Sequence, residues 1–236
     1  MSEPIVFLPG LFCDARVFSS QLAALGRDHP VMVAPTAIRD RVEGVASDLL
    51  MSMPSRFVLV GQGYGGVVAM EMLRRAPEKI SRLILMSCSP LADTPVEAAD
   101  RELRIVAAKA NRFADVVQQE VPADCLGPSN ARGDITAKML AMAKATGPEA
   151  YVTQARAMQR RRDQQSTLRK VKQPTLVICG TEDRLTPVKR HEAMAQLIPN
   201  SKLAVLNNCG HLPSLEAPST VSDTLRMWLK EPEPAT

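Results

Sequence analysis

The stretch Leu59-Val60-Gly61-Gln62-Gly63-Tyr64-Gly65-Gly66-Val67-Val68-Ala69-Met70 constrains the fold more than any other part of the chain. An apolar, β-branched run from Phe57 to Val60 meets closely spaced glycines and passes at once into a helix-like run, Val67 to Arg75. A strand that turns straight back into a helix brings two backbones too close for a Cβ, so the flanks of the turn need glycine. Gly61 and Gly65 fill those flanks in the pattern small-x-nucleophile-x-small. The centre of that pattern calls for serine, cysteine or aspartate. Here it is Gly63, which has no side chain.

The surrounding chain repeats the same alternation. Ile5-Val6-Phe7-Leu8 reads as a strand buried on both faces, followed by the loop Pro9-Gly10-Leu11-Phe12-Cys13-Asp14. Val17 to Leu25 is helix-like, Val31 to Ala34 reads as a second short buried strand, and Val42 to Met51 has helical spacing. Ile80 to Met86 gives another strand. Pro174 to Cys179 leads into Gly180-Thr181-Glu182-Asp183-Arg184-Leu185-Thr186-Pro187, and His191 to Leu197 is helical. Lys202 to Leu206 precedes Asn208-Cys209-Gly210-His211-Leu212, and an amphipathic helix over about Thr220 to Leu229 leaves a frayed tail from Glu231. Short strands alternating with helices predict an α/β fold with a mainly parallel sheet and right-handed crossovers. Between Asp93 and Leu168 the strand pattern stops. Helical candidates there are Thr94-Pro95 onward, Phe113 to Val121, Asp134 to Ala145 and Pro148 to Arg160. The division expected is therefore residues 1–92 and 169–236 as one core, with 93–168 as a helical cap over the sheet's carboxyl edge.

Composition narrows the function classes. With 236 residues, 45% of them hydrophobic, the chain can bury one sizeable core. The N-terminus Met1-Ser2-Glu3-Pro4 lacks the basic and apolar regions of a signal peptide, and no apolar stretch approaches the roughly 18 residues of a membrane helix. Cys13, Cys88, Cys125, Cys179 and Cys209 are odd in number without CxxC spacing, so reduced thiols and a cytoplasmic location are expected. The net charge of +4 is mild, and the cluster Arg160-Arg161-Arg162, with Arg169 and Lys170 nearby, reads as a solvated helix face. Only 3% of residues are aromatic, too few for base stacking, so nucleic acid is not an expected partner. No metal-ligand cluster appears, and the glycines lack the Lys-Ser/Thr of a phosphate loop. A small-molecule substrate is the expected partner, with no metal and no cofactor; a homodimer is left open.

Four stretches in order carry a resemblance: Leu8-Pro9-Gly10-Leu11, the glycine turn, Gly180-Thr181-Glu182-Asp183, and Cys209-Gly210-His211. From about Pro4 to Leu229 the chain resembles the α/β-hydrolase fold family, in the compact bacterial esterase and lactonase form that begins at the third strand of the usual count. The resemblance implies a catalytic triad in the order nucleophile, acid, base. Asp183 falls at the acid and His211 at the base. A loop aspartate capping a turn, and a loop histidine satisfied by backbone, are the plainer alternatives. Leu11 and Tyr64 fall where the family's two oxyanion-hole N–H groups lie, with Pro-Gly where much of the family has His-Gly. His29 and His191 are expected at the surface.

The family's nucleophile would stand at Gly63, and three readings of the gap remain. The chain is a serine hydrolase of a small carboxylic ester, lactone or thioester whose serine has been replaced by glycine. Alternatively, an Asp183–His211 dyad acts alone, as in lyases and cofactor-free oxygenases of this fold. The third reading is a binding protein that has lost turnover. Cys88 and Ser89, after the neighbouring strand, are weaker candidates for a relocated nucleophile. Met139, Met142 and Met158, with Phe113 and Tyr151, either line an adaptable apolar pocket or simply pack the helices.

Overall fold

The computed structural model describes residues 2–232, so the end of the tail read as frayed (233–236) and Met1 lie outside the described residues. Six parallel strands form one sheet in the order β2-β1-β3-β4-β5-β6. They are β1 (Ile5–Leu8), β2 (Val31–Val33), β3 (Phe57–Gln62), β4 (Ile80–Met86), β5 (Thr175–Gly180) and β6 (Ser201–Leu206). The helices are α1 (Ser19–Leu25), α2 (Val42–Ser52), α3 (Tyr64–Arg75), α4 (Pro95–Lys109), α5 (Phe113–Glu120), α6 (Arg132–Thr146), α7 (Pro148–Gln159), α8 (Gln165–Leu168), α9 (Val188–Leu197), α10 (Pro213–Glu216) and α11 (Pro218–Leu229).

The central strands read as continuous apolar runs because both of their faces are covered. Ile5, Phe7, Val58, Val60, Ile84, Met86, Leu176 and Ile178 point into one core, which α1, α11 and the helices after β4 complete. Val6, Leu8, Phe57, Leu59, Leu83, Leu85 and Val177 point into the other, closed by α2, α3 and α9. The period of two along each strand thus assigns alternate residues to opposite layers. β2 departs from the expected buried strand. It is an edge strand, and Met32 is 36% exposed.

Between β4 and β5 the chain is helical throughout, with no strand from α4 to α8. Pro95 takes the first turn of α4. Ahead of it the Thr94 hydroxyl accepts from Glu97 N–H at 3.2 Å, and the Glu97 carboxylate accepts from Thr94 N–H at 2.7 Å. This reciprocal cap satisfies two N–H groups at the helix start.

The basic run is a solvated face, as expected, except at the side chain of Arg161. Arg161 is buried on Asp93, bonded at 2.6 Å, while Arg160 reaches Asp40 and Arg162 approaches Glu43. A guanidinium that finds a buried carboxylate is held by it, a partnership that sequence spacing does not reveal. The histidines differ from expectation too. His29 is half-buried, with Nδ1 3.0 Å from Glu3 O. His191 is fully buried, and its Nε2 accepts the Cys88 N–H at 3.2 Å.

Candidate active site

The glycine turn is built by close approach. A Cβ on Gly61 would lie 2.5 Å from Gly65 O, and one on Gly65 would fall inside the Leu8 carbonyl. Gly63 is different in kind. Its φ of 55° is positive, yet a Cβ there would meet nothing nearer than Gly10 Cα at 3.7 Å and His211 Nε2 at 3.9 Å. The flanks therefore exclude a side chain for lack of room, whereas the centre only strains it.

His211 arrives from the loop after β6. Its Nδ1 donates to Asp183 Oδ2 at 2.9 Å and lies 3.1 Å from Oδ1, leaving Nε2 for the space beside Gly63. Asp183, in the loop after β5, is held in turn by the N–H groups of Leu185 and Thr186 and by the Thr186 hydroxyl at 2.7 Å. Both sequence alternatives for Asp183 are present at once: it caps a local turn and it holds the imidazole. Burial pushes the Asp183 carboxyl up, and the imidazole with the Thr186 donors more than offsets this, leaving it below its ordinary value. Burial pushes the His211 imidazole down, and the Asp183 charge and hydrogen bond override that and hold it above its ordinary value.

Glu216, which sequence reasoning passed over, fixes the histidine loop. Its carboxylate accepts from Gly210 N–H and Leu212 N–H, both at 2.7 Å, and from Gly127 N–H at 2.6 Å. Gln154 of α7 does the same for the loop after β1. It accepts the Phe12 N–H at 2.9 Å and donates to Thr36 Oγ1 at 2.9 Å, next to Leu11. Only the buried polar character of such residues marks them, and sequence does not report burial.

Several of these residues line one cavity of about 270 Å³. Gly10, Leu11, Gly63, Tyr64 and His211 line one part; Arg101, Arg104 and Glu120 of α4 and α5 line another. The N–H groups of Leu11 and Tyr64 have no hydrogen-bond acceptor among the described residues. Phe12 and Ser87, non-glycine residues with positive φ, also line the cavity, so backbone strain collects there. Cys88 lies in the same wall, but burial and the nearby Asp183 charge push its thiol far up, which leaves it protonated and a poor nucleophile.

The methionines divide. Met158 lines the cavity, whereas Met139 and Met142 pack in the core. The helical wall also carries charged side chains. Arg101 Nε donates to Asp93 at 2.9 Å, Arg104 Nε lies 3.1 Å from Glu120, and Tyr151 donates to Glu120 at 2.6 Å. No group of histidine, cysteine and carboxylate side chains that could hold a metal occurs among the described residues. No helix among them is long and apolar enough to cross a membrane.

Comparison with known proteins covers nearly the whole chain. The chain is 29% identical over 188 residues to the pimeloyl-[acyl-carrier protein] methyl ester esterase of Aromatoleum aromaticum, covering 75% of each. It is 27% identical over 256 residues to the biotin biosynthesis bifunctional protein BioHC of Teredinibacter turnerae, with 98% of this chain matched but only 45% of that longer protein. In fold it is similar to the enol-lactonase of Burkholderia xenovorans, with TM-score 0.87 at 20% identity over 98% of this chain and 92% of that one. A thermophilic esterase from Thermogutta terrifontis superposes with TM-score 0.88 at 24% identity, over 98% and 90% of the two chains. The model of the alpha/beta hydrolase family matches residues 5–224, a span that takes in the glycine turn, Asp183 and His211, and the chain belongs to that family.

Proposed function

We propose that the site is that of a serine-type hydrolase of small carboxylic esters, lactones or thioesters, impaired in this chain because glycine stands at the nucleophile's position. One observation carries the reading: the space beside Gly63 is unfilled and faces His211 Nε2, 3.9 Å from where a Cβ would sit. An oxygen on that Cβ would come within hydrogen-bond reach of the imidazole. His211 would take the proton as the oxygen attacks the acyl carbon, and Asp183 would stabilise the imidazolium. The proton then passes to the departing alcohol, and water releases the acid by the same route. The acceptor-free N–H groups of Leu11 and Tyr64 are the candidates for holding the oxyanion. Residues 93–168 serve as the cap that closes the cavity. The similarity to a methyl ester esterase and an enol-lactonase supports acyl-oxygen bonds as the target.

With Gly63 in place, water held by His211 is the remaining nucleophile. Oxyanion stabilisation and binding without a nucleophile leave about 10³–10⁴-fold acceleration over uncatalysed hydrolysis. Gly63→Ser tests the reading on aryl esters, lactones and thioesters. Turnover is expected to rise by several orders of magnitude, at a stability cost on the order of 1 kcal/mol for a side chain at positive φ. If Gly63→Ser gains nothing on any of these, a dyad enzyme or a binding protein takes the place of the hydrolase.

A further inference from the structure

Three consecutive residues at the end of β4 join the elements that carry the site. Met86 O accepts the Gly63 N–H at 2.9 Å, which ties the glycine turn to β4. The Ser87 N–H donates to Ile178 O at 3.0 Å, in the strand that leads to Asp183. The Cys88 N–H donates to His191 Nε2 at 3.2 Å, in the first turn of α9, the helix after the Asp183 loop. Cys88 also packs on α3, since a Cβ on Gly66 would lie 2.6 Å from its Sγ. The corner 86–88 thus touches the helix of the glycine turn on one side and the helix behind the acid on the other.

Ser87 strains this corner. A φ of 44° on a non-glycine residue costs on the order of 1–3 kcal/mol and persists only where its surroundings over-determine it. Two of the three bonds run between backbone groups and do not depend on residue type; the third needs the imidazole. Without it the buried Cys88 N–H has no acceptor among the described residues, and a turn of the Ser87–Cys88 peptide relieves the strain and the orphaned donor together.

His191 has the form this bond requires. It is fully buried, with Nδ1 3.3 Å from Pro187 O, so the neutral ring with its proton on Nδ1 satisfies both contacts. Burial holds the ring below its ordinary value and so keeps it neutral. The Pro187 carbonyl and the charge of Asp183 oppose that, while His211 and Arg190 support it. Pro187 directly follows Thr186, whose N–H and hydroxyl hold Asp183.

We infer that His191 is a positioning residue: by accepting the Cys88 N–H it fastens the β4 corner to α9, and so keeps Asp183 bonded to His211 opposite Gly63. The reaction it serves rests on the hydrolase reading of the same cavity; its hold on Asp183 does not.

The chain has three histidines, so NMR can follow each imidazole as it titrates. In the unmodified chain His211 should titrate above 6.5, where Asp183 holds it. His191→Leu should bring that midpoint down toward 6.5, whereas loss of the repulsion between the two imidazoles would by itself move it up. His191→Gln, whose Oε1 reaches the place of Nε2 and accepts the same N–H, should leave it unmoved. In the Gly63→Ser background, His191→Leu should lower kcat on an aryl ester about 10–100-fold with KM unchanged, the scale of a small misplacement, and shift the acid limb of the pH profile to lower pH. His191→Gln should recover kcat to within about threefold. A purely structural role would lower the thermal midpoint and leave the His211 titration where it was. Should His191→Leu fail to fold, hydrogen exchange on the unmodified chain decides: protection of the Cys88 N–H should fall relative to that of Ser87 as His191 protonates below pH 6.5. An unmoved His211 midpoint in His191→Leu, a Gln variant that behaves like Leu, or Cys88 protection that ignores pH overturns the role, and ester turnover by Gly63→Ser would still preserve the hydrolase reading. If Gly63→Ser turns over no ester but the His211 midpoint falls in His191→Leu, the hydrolase reading fails and the positioning role stands.

Discussion

On the sheet side of the cavity, Gly63, Asp183 and His211 are placed by backbone: three loops leave the carboxyl ends of β3, β5 and β6, with β5 beside β6 and only β4 between β3 and β5. On the helical side, Asp93, Arg101, Glu120 and Arg161 come from different helices or the segments beside them, and their charged ends hold one another. The first arrangement survives loss of a side chain, because the strand ends stay where they are. The second does not, because each charge is the other's solvation. The two sides should therefore fail in different ways: the sheet side in chemistry, the helical side in stability.

The largest expected effect lies on the sheet side. In the Gly63→Ser background, His211→Ala should lower ester turnover about 10³–10⁴-fold or more, since loss of one triad member removes most of the triad's contribution, with little change in thermal midpoint at a pH above the raised imidazole value, where the pair no longer adds to stability. A comparable loss of stability would erase the contrast. Steady-state kinetics and calorimetry on the same samples decide it.

On the helical side, Asp93→Asn leaves Arg101 and Arg161 buried without their shared anion. The cost should be about 3–5 kcal/mol, the range for breaking one partner out of a buried pair. Denaturant unfolding measures it, and a loss below about 1 kcal/mol would mean that water already solvates this cluster.

Proton linkage separates the two sides more finely. His211 must be neutral to act as base, and its imidazole is held above its ordinary value, 6.5. Turnover by Gly63→Ser should therefore rise about tenfold per pH unit on the acid side and level off only above pH 6.5. The pair's contribution to stability runs the other way: present in full below about 6.5, it fades as pH rises through the elevated value. Away from the cavity, burial pushes Glu71 up, yet hydrogen bonds from Arg74, Arg75 and Gln164 hold it at about 2. Its contribution is complete above its ordinary 4.5 and disappears as pH falls toward 2. A pH series of unfolding midpoints reads both slopes.

The smallest effects test the glycines and the surface charges. Gly63→Ala should cost on the order of 1 kcal/mol from positive φ alone, whereas Gly65→Ala, which drives a Cβ into the Leu8 carbonyl, should cost several times more. Equal losses would show that strain, not room, governs the whole turn. Arg160→Ala, which gives up an exposed pair with Asp40, should change stability by no more than about 1 kcal/mol.

Sequence alone determined the parallel α/β architecture. Apolar runs such as Ile5–Leu8 and Phe57–Val60 suit only a strand covered on both faces, and glycine at 61 and 65 suits only a strand folding straight back into a helix. It also placed Asp183 and His211 at strand ends, because in a parallel sheet chain order fixes which loops emerge on one edge. Tertiary structure decided the rest. His191 and Arg161 look like surface residues in the sequence and are buried, since a polar side chain goes inside only where a distant partner, Cys88 N–H or Asp93, receives it. Glu216 and Gln154 gained their positioning roles in the same way, by collecting N–H groups from loops far away in sequence. The charged helical wall was invisible for that reason: local propensity and periodicity act over a few residues, while ion pairing across helices acts through space, and only the packed chain brings those residues together.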